Sequence, residues 1–351
     1  MSTITVVIDE PRTVAGRIED GRAWIAVEDL EATTGWVRKP EGLCQGDICV
    51  PVRRPEDLEA GQEIDLIAMA GLLQRRVVSD EAGIVVFSHD AATRRAALDG
   101  LTAPDFTLPT LDGEPFTFSS LAGTKRILVT FSSWCGCRYD LPGWQALSDE
   151  LSEFGVAIVA VALDDNPEAV RRFTNDITYP VLLDRQHLLS ELYAISNVPT
   201  VVWIDEQGTI VRPNGLVFGT DTFAEFTGVD STPQLELLKR WVRTGALPLN
   251  PEDAAGAIAD LSDEELEARL LFRLGIEAKR QGLDELAEST LRKAGDLAPL
   301  DFSVRRAAMP LLGEDPFGQA FLDLYDEWQE QGAPYHGLPL GNEKSVSPQE
   351  R

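Results

Sequence analysis

Apolar and polar residues follow one another along this chain in three different rhythms. Up to about Ser88, short apolar strings (residues 4–8, 23–27, 48–52, 64–68 and 84–87) recur between turn-forming clusters such as Asp20-Gly21 and Gly46-Asp47. Runs of this length bounded by Gly and Asp predict strands, and residues 27–34 and 66–73 predict short helices. Residues 1–90 therefore form a small α+β domain, and residues 90–100 a connecting helix or linker. From Ala103 the rhythm slows to buried strands separated by helical stretches. Strands are expected at 127–131, 156–163 and 181–183, with helices at 141–154, 167–175 and 187–194. Asp164, Asp165 or Asn166 is placed to cap the second of these helices. Strands 200–204 and 209–211 straddle an Asp205–Gly208 turn, and a helix at 232–244 closes the domain. Parallel strands followed by a hairpin give a mixed central sheet flanked by helices, spanning 101–246. Beyond a loop at 245–255, residues 256–335 carry a helical period opened by a Ser262/Glu265 capping box. Residues 336–351 read as a disordered tail.

Charge changes the picture more than composition does. With 58 Asp and Glu against 31 Lys and Arg the formal net charge is −27. Such a surface repels phosphate backbones and anionic lipid, so neither nucleic acid nor membrane is an expected partner. Solubility or a salty cytoplasm accounts for it, with a basic partner as the alternative. The N-terminus lacks a basic segment followed by an apolar run, and no stretch approaches about 18 apolar residues. The expected location is cytoplasmic. There the four cysteines are thiols by default, and a disulfide is more often catalytic than structural.

The candidate chemistry lies where the strand 127–131 runs into Ser132-Ser133-Trp134-Cys135-Gly136-Cys137. Only a thiolate attacks disulfides or peroxides. A helix opened by the second cysteine offers unpaired N–H groups that stabilise that anion. Pro142, five residues on, is placed to kink this helix. Downstream, Asn197-Val198-Pro199-Thr200 precedes a strand, and a cis Pro199 beside the thiol leaves a β-like edge for a polypeptide substrate. Adjacent thiolates also suit Cu(I) or Zn. However, His89, His187 and His336 are the only histidines and none has ligand spacing to the pair, so no metal and no cofactor is expected. Cys44 and Cys49 flank a hairpin turn, as a second redox pair, an inert cross-hairpin bridge or two small buried residues; a zinc site of all four cysteines has unusual spacing. Arg138 is placed to hold a thiolate or a substrate carboxylate, against the plainer reading of a solvated side chain. His187 is read as a surface helix position rather than a base. Thr130 lies beneath the thiols, and its strand contains no acid to relay a proton.

The conjunction of Ala103-Pro104-Asp105-Phe106, Trp134-Cys135, Val198-Pro199-Thr200 and Ile204-Asp205 with Gly208 resembles the redoxin branch of the thioredoxin superfamily. That branch groups alkyl hydroperoxide reductase/thiol-specific antioxidant proteins with the thiol–disulfide oxidoreductases of cytochrome maturation. The resemblance implies a thioredoxin fold with Cys135 attacking, Cys137 resolving, Trp134 as flanking aromatic and Pro199 as cis proline; Ser132, Gly136 and Arg138 help position the substrate. The substrate is a protein or small-molecule disulfide or thiol, or a peroxide, with a thiol as electron donor. Two departures stand out. The centre is Cys-Gly-Cys rather than Cys-x-x-Cys, so glycine relieves the backbone, and strain in a disulfide over two positions favours an oxidant or isomerase. In the peroxidase pattern, Ser132 fills the hydroxyl position while Leu128 stands where proline belongs. The activity expected is thiol–disulfide exchange, with a thiol peroxidase, or a redox-sensing or metal-binding interaction protein, as alternatives. Residues 1–85 resemble the copper-amine-oxidase N-terminal-like module, which implies a scaffold role. Leu271, Leu274, Gly275, Ala278, Ala287, Leu291, Ala294 and Pro299 fall on the tetratricopeptide spacing, which implies a protein partner for the C-terminal helices; a generic helical hairpin is the alternative.

Overall fold

The computed structural model describes residues 2–258 and 260–338. The chain divides into two compact units, one combining Met1–Arg95 with Leu261–Gly313, the other Ala96–Asp260 with Glu314–Arg351. The helical stretch expected as a single segment at 256–335 is thus shared between the two units. Among the described residues, no helix is long and apolar enough to cross a membrane.

In the first unit a seven-stranded sheet runs Glu59–Ala60, Glu63–Asp65, Arg22–Ala26, Pro11–Glu19, Thr3–Val7, Ile84–Phe87, Val77–Ser79 from edge to edge. Thr3–Val7 and Ile84–Phe87 pair in parallel, with Thr5 opposite Ile84. Both are covered on two faces. Ile4, Val6, Val85 and Phe87 join Leu30, Leu66 and Met69 in one core. Val7, Ile84 and Val86 meet Leu270, Leu274, Ala278 and Ala287 in another. Strands buried on both faces favour apolar runs over strict alternation; Ile84–Phe87 is wholly apolar, and Thr3–Val7 is broken only by its two threonines. The Pro11–Glu19 strand escapes a hydrophobicity pattern because none of its residues is buried and its apolar positions are broken up by Arg12, Thr13 and Arg17. The helix expected at 66–73 is present as Leu66–Leu72, whose N-cap Asp65 accepts from Ile67 N.

The helices Asp263–Arg280 and Asp284–Leu297 pack as a hairpin on that sheet. The face carrying Leu274, Ala278 and Ala287 is covered by strands, not presented to a protein partner or to a further repeat. The expected capping box is present: Glu265 N donates to Ser262 Oγ and Ser262 N to Glu265 Oε2. Gly275 is where the two helices touch, since a Cβ there would stand 2.7 Å from Leu291 Cγ.

A three-stranded sheet, Val37–Lys39, Gly42–Gln45 and Ile48–Val50, places Cys44 directly opposite Cys49, and the two form a disulfide of 1.99 Å. The expectation of four thiols is corrected here, and the cross-hairpin bridge is the alternative the structure takes.

The second unit holds a five-stranded sheet ordered Val181–Leu183, Val156–Ala162, Lys125–Phe131, Thr200–Ile204, Ile210–Gly215. The first three strands are parallel and the last two antiparallel, which makes a thioredoxin-like sheet. Helices Leu141–Leu151, Leu188–Leu192 and Thr232–Thr244 accompany it. Trp241 of the last helix stacks on Trp203 of the sheet, with ring centroids 5.7 Å apart. Asn166 is the residue that caps Pro167–Arg171, its Oδ1 accepting from Glu168 N. His187 is buried with a left-handed backbone rather than on a surface helix position, and Asp184 accepts the N–H groups of Leu188 and Leu189 in front of that helix. The helix Gln319–Glu330 adds Phe321, Leu324 and Trp328 to the buried residues of this unit. Of the tail expected at 336–351, residues 339–351 lie outside the described residues. The start of it is packed, with Leu338 buried and its N–H donating to Asn214 O at 2.8 Å.

Replacing Gly275 by valine forces a side chain into Leu291 and Ala287. The expected loss is about 2 kcal/mol of stability, the usual cost of overpacking, read from urea unfolding.

Candidate active site

The central strand Lys125–Phe131 is buried along its length and delivers the chain to Ser132 at the carboxyl end of the sheet. Open α/β sheets place their sites at this end. Cys135 is the N-cap of a five-residue 3₁₀ turn, Gly136–Asp140, that leads into the α-helix Leu141–Leu151. Its Sγ accepts from Cys137 N at 3.3 Å, so the sulfur fills the place a cap oxygen normally takes. The same sulfur lies 3.4 Å from Val198 O. Val198–Pro199 is a cis peptide bond, so the thiol and the cis-proline loop sit side by side. Thr130 fixes this meeting: its Oγ1 donates to Thr200 O and accepts from Thr200 N, at 3.1 and 3.0 Å. From the C-terminal segment, Tyr335 hydrogen-bonds Thr200 Oγ1 at 2.6 Å, and Thr200 Oγ1 in turn donates to Asn197 O. Burial pushes the Tyr335 phenol well above its ordinary range. Nothing in the pattern around Tyr335 announces this role.

Cys135 and Cys137 are present as thiols, 5% and 2% exposed. The sulfurs of the expected pair are therefore covered. Phe223 packs against the residue between them, because a Cβ on Gly136 would lie 3.0 Å from its ring. Gly136 has no left-handed φ; it is small so that Phe223 fits, which replaces the expectation that glycine relieves the backbone. The same segment passes over the first helical turn, with Gly219 O only 2.3 Å from where a Cβ on Gly143 would be. Pro142 lies in the first turn of the α-helix, where a missing N–H breaks no bond. It starts the helix and does not kink it.

The remaining expected residues are partly reassigned. Trp134 is buried and donates from Nε1 to Leu163 O at 3.1 Å. Ser132 turns its hydroxyl away from the thiol, to Leu163 O and Asp164 Oδ2, each at 3.0 Å. Arg138 is neither solvated nor on a thiolate. Its guanidinium lies over Tyr139, Phe173 and Phe317 at 4.9, 4.7 and 4.7 Å, and Nη1 bonds Ser133 O. Cys44 and Cys49 are bonded to each other in the first unit, and among the described residues no group of three or more His, Cys, Asp and Glu is placed to hold a metal ion.

Two acids enter the site that were not singled out as acids. The central strand has none, but Asp164 follows the neighbouring strand Val156–Ala162, and Asp140 stands three residues beyond Cys137. In a 3₁₀ turn, residues i and i+3 share a face. Asp140 is 1% exposed; Thr220 donates to its Oδ1, while Oδ2 has no hydrogen-bond partner among the described residues. Burial lifts its carboxyl to about 6 against the lowering effect of Thr220. Asp164 is lifted to about 6 by burial as well, against the bonds it accepts from Ser133 and Ser132. The signal available in the sequence was position: both residues sit at the carboxyl end of the sheet beside the cysteines.

Fold and site together define a thioredoxin-like redox protein. Residues 100–212 match the AhpC/TSA family, and the chain belongs to it. It is similar to the thioredoxin-like protein YneN of Bacillus subtilis, 34% identical over 118 residues, which are 32% of this chain and 68% of that one. It is also similar to the thiol-disulfide oxidoreductase ResA of Halalkalibacterium halodurans, 30% identical over 139 residues, covering 39% and 79% of the two chains. Among solved structures, StoA from Bacillus subtilis aligns at 29% identity over 34% of this chain and 93% of its own, with a TM-score of 0.30.

Two outcomes follow. Asp140 is protonated in both folded and unfolded chains below about pH 4, protonated only when folded between about 4 and 6, and ionised in both above. Its folded carboxyl has the higher affinity for protons, so stability falls as pH rises through that window. Asp140→Asn is therefore expected to raise the urea-unfolding free energy by on the order of 2 kcal/mol near pH 8, and by nothing near pH 4. Phe223→Ala is expected to speed iodoacetamide modification of Cys135 about tenfold, since the lost half-buried ring contributes about 1.5 kcal/mol to closure. An unchanged rate, measured by peptide mass spectrometry, shows that Phe223 is not the cover.

Proposed function

We propose that this chain is a thiol–disulfide oxidoreductase with Cys135 as the attacking thiol and Cys137 as the resolving one. The observation that carries the reading is the position of Cys135 Sγ between Cys137 N and the carbonyl of Val198, beside the cis Pro199. The Cys137 N–H stabilises a thiolate at Cys135, and the backbone before Pro199 gives an extended substrate an edge to pair with. The two relatives named above, one of them called a thiol-disulfide oxidoreductase, support the same reading.

The chemistry is two exchanges. Thiolate Cys135 attacks one sulfur of a substrate disulfide, forming a mixed disulfide and releasing the other sulfur as a thiolate. Cys137, having lost its proton, attacks Cys135 Sγ, closes the Cys135–Cys137 disulfide and releases the substrate's second thiolate. The substrate is reduced by two electrons and the protein oxidised by two; a thiol donor reverses this in the next cycle. Asp140, a buried acid titrating near 6 with an unengaged Oδ2 on the turn that starts at Gly136, is assigned the proton that leaves Cys137.

The peroxidase reading is not favoured, because Ser132, the hydroxyl that would assist a peroxide, is engaged with Leu163 O and Asp164. In the full chain, Cys137→Ser is expected to accumulate a mixed disulfide on Cys135 when given an oxidised protein substrate, and Cys135→Ser to form none and to lose turnover. Peroxide consumption at a rate matching disulfide reduction, or turnover surviving in Cys135→Ser, defeats the proposal.

A further inference from the structure

One buried carboxylate near the thiols takes no part in the exchanges just described. Asp164 is 5% exposed, and among the described residues its hydrogen bonds come from the two serines that precede Trp134. Its Oδ2 accepts from Ser133 N at 2.7 Å and Ser132 Oγ at 3.0 Å, while Oδ1 accepts from Ser133 Oγ at 2.5 Å. The adjoining residue continues the fastening: Leu163 N donates to Phe131 O at 2.9 Å, and Leu163 O receives Trp134 Nε1 at 3.1 Å. From the other side, Arg138 bonds Ser133 O. Ser133 is thus held at its amide, its hydroxyl and its carbonyl, two residues before the reactive sulfur. A buried carboxylate is costly to keep without partners, so an arrangement that aims three donors at one is a built feature.

We infer that Asp164 is a positioning residue for Cys135: it ties the Ser132-Ser133-Trp134 approach to the end of the Val156–Ala162 strand and so sets the angle at which Cys135 meets Cys137 N–H and Val198 O. The inference rests on Cys135 being the attacking thiol. It adds a residue that touches neither substrate nor sulfur and acts only through the loop. A slack loop lets the sulfur drift from the N–H that stabilises its anion, which raises the thiol's ionisation midpoint and spoils the line of attack. The charged neighbours are the adjacent Asp165 and, across Ser133, Arg138.

The test uses the full-length reduced protein, with two readouts. Iodoacetamide modification of Cys135 from about pH 5 to 9 reports the thiol's midpoint. Reduction of an oxidised protein substrate gives kcat and KM. Asp164→Ala is expected to raise the midpoint and to lower kcat about 10- to 100-fold, with KM little changed, as for a displaced catalytic group. Asp164→Asn keeps an acceptor for Ser133 N–H and is expected to recover kcat to within about threefold of the parent. Ser133→Ala, which removes one of the three bonds, moves the midpoint the same way by less. An Asp164→Ala protein with native near-ultraviolet circular dichroism, an unmoved midpoint and full turnover overturns the inference. So does Asp164→Asn being as slow as Asp164→Ala, because charge and not placement is then what matters. Should Asp164→Ala not fold, an unmoved midpoint in both Ser132→Ala and Ser133→Ala overturns it equally. If the parent reduces no disulfide at all, the oxidoreductase reading falls, while the alkylation midpoints still judge the role of Asp164.

Discussion

A sulfur atom caps the helix at the centre of this fold, and the rest of the site is arranged to keep it there. Helix N-termini leave N–H groups that need an acceptor, normally an oxygen of Ser, Thr, Asp or Asn. Here Cys135 Sγ receives the Cys137 N–H. A thiol is a weak acceptor and a thiolate a strong one, so this bond is the one that would strengthen in the attack proposed for Cys135. The central strand brings the chain to that point. Thr130 fastens the cis-proline strand to it through one hydroxyl that both donates and accepts, and Gly136 and Gly143 give up side chains so that the Gly219–Phe223 segment can close over the turn.

Two acids held near 6 at neutral pH work against stability. Each is more comfortable protonated in the folded protein, and each therefore costs folding free energy once ionised. They differ in what surrounds them. Asp164 is met by three donors and is a fastening. Asp140 has one oxygen bonded to Thr220 and the other without a hydrogen bond among the described residues. Functional sites are where proteins retain strain of this kind.

The redox unit was readable because its strands are buried on both sides and so appear as unbroken apolar runs, and because Trp134-Cys135 and Val198-Pro199-Thr200 are local strings that the fold brings together. Residues whose role depends on a distant partner were not readable. Asp164 looked like one of three candidate caps for the helix after it; that place belongs to Asn166, and Asp164 faces a different strand. Arg138 looked solvated because its three aromatic neighbours come from positions 139, 173 and 317. The C-terminal helices carried a legible amphipathic period, but a period says that a face is covered and not by what. Leu270 and Leu274 find the N-terminal sheet, whereas Phe321 and Trp328 belong to the other unit.

The aromatic ring over Gly136 has a bearing on selectivity. A nucleophile reached only while its cover is displaced reacts at a rate proportional to the fraction of time spent uncovered, whatever its intrinsic reactivity. Small oxidants that arrive by diffusion offer nothing in exchange for the ring's contacts. A partner with an apolar segment of its own can take over those contacts as it docks. A ring in that place, if it shields the thiols, would then discriminate by size and surface before any sulfur chemistry begins, sparing them from wasteful encounters.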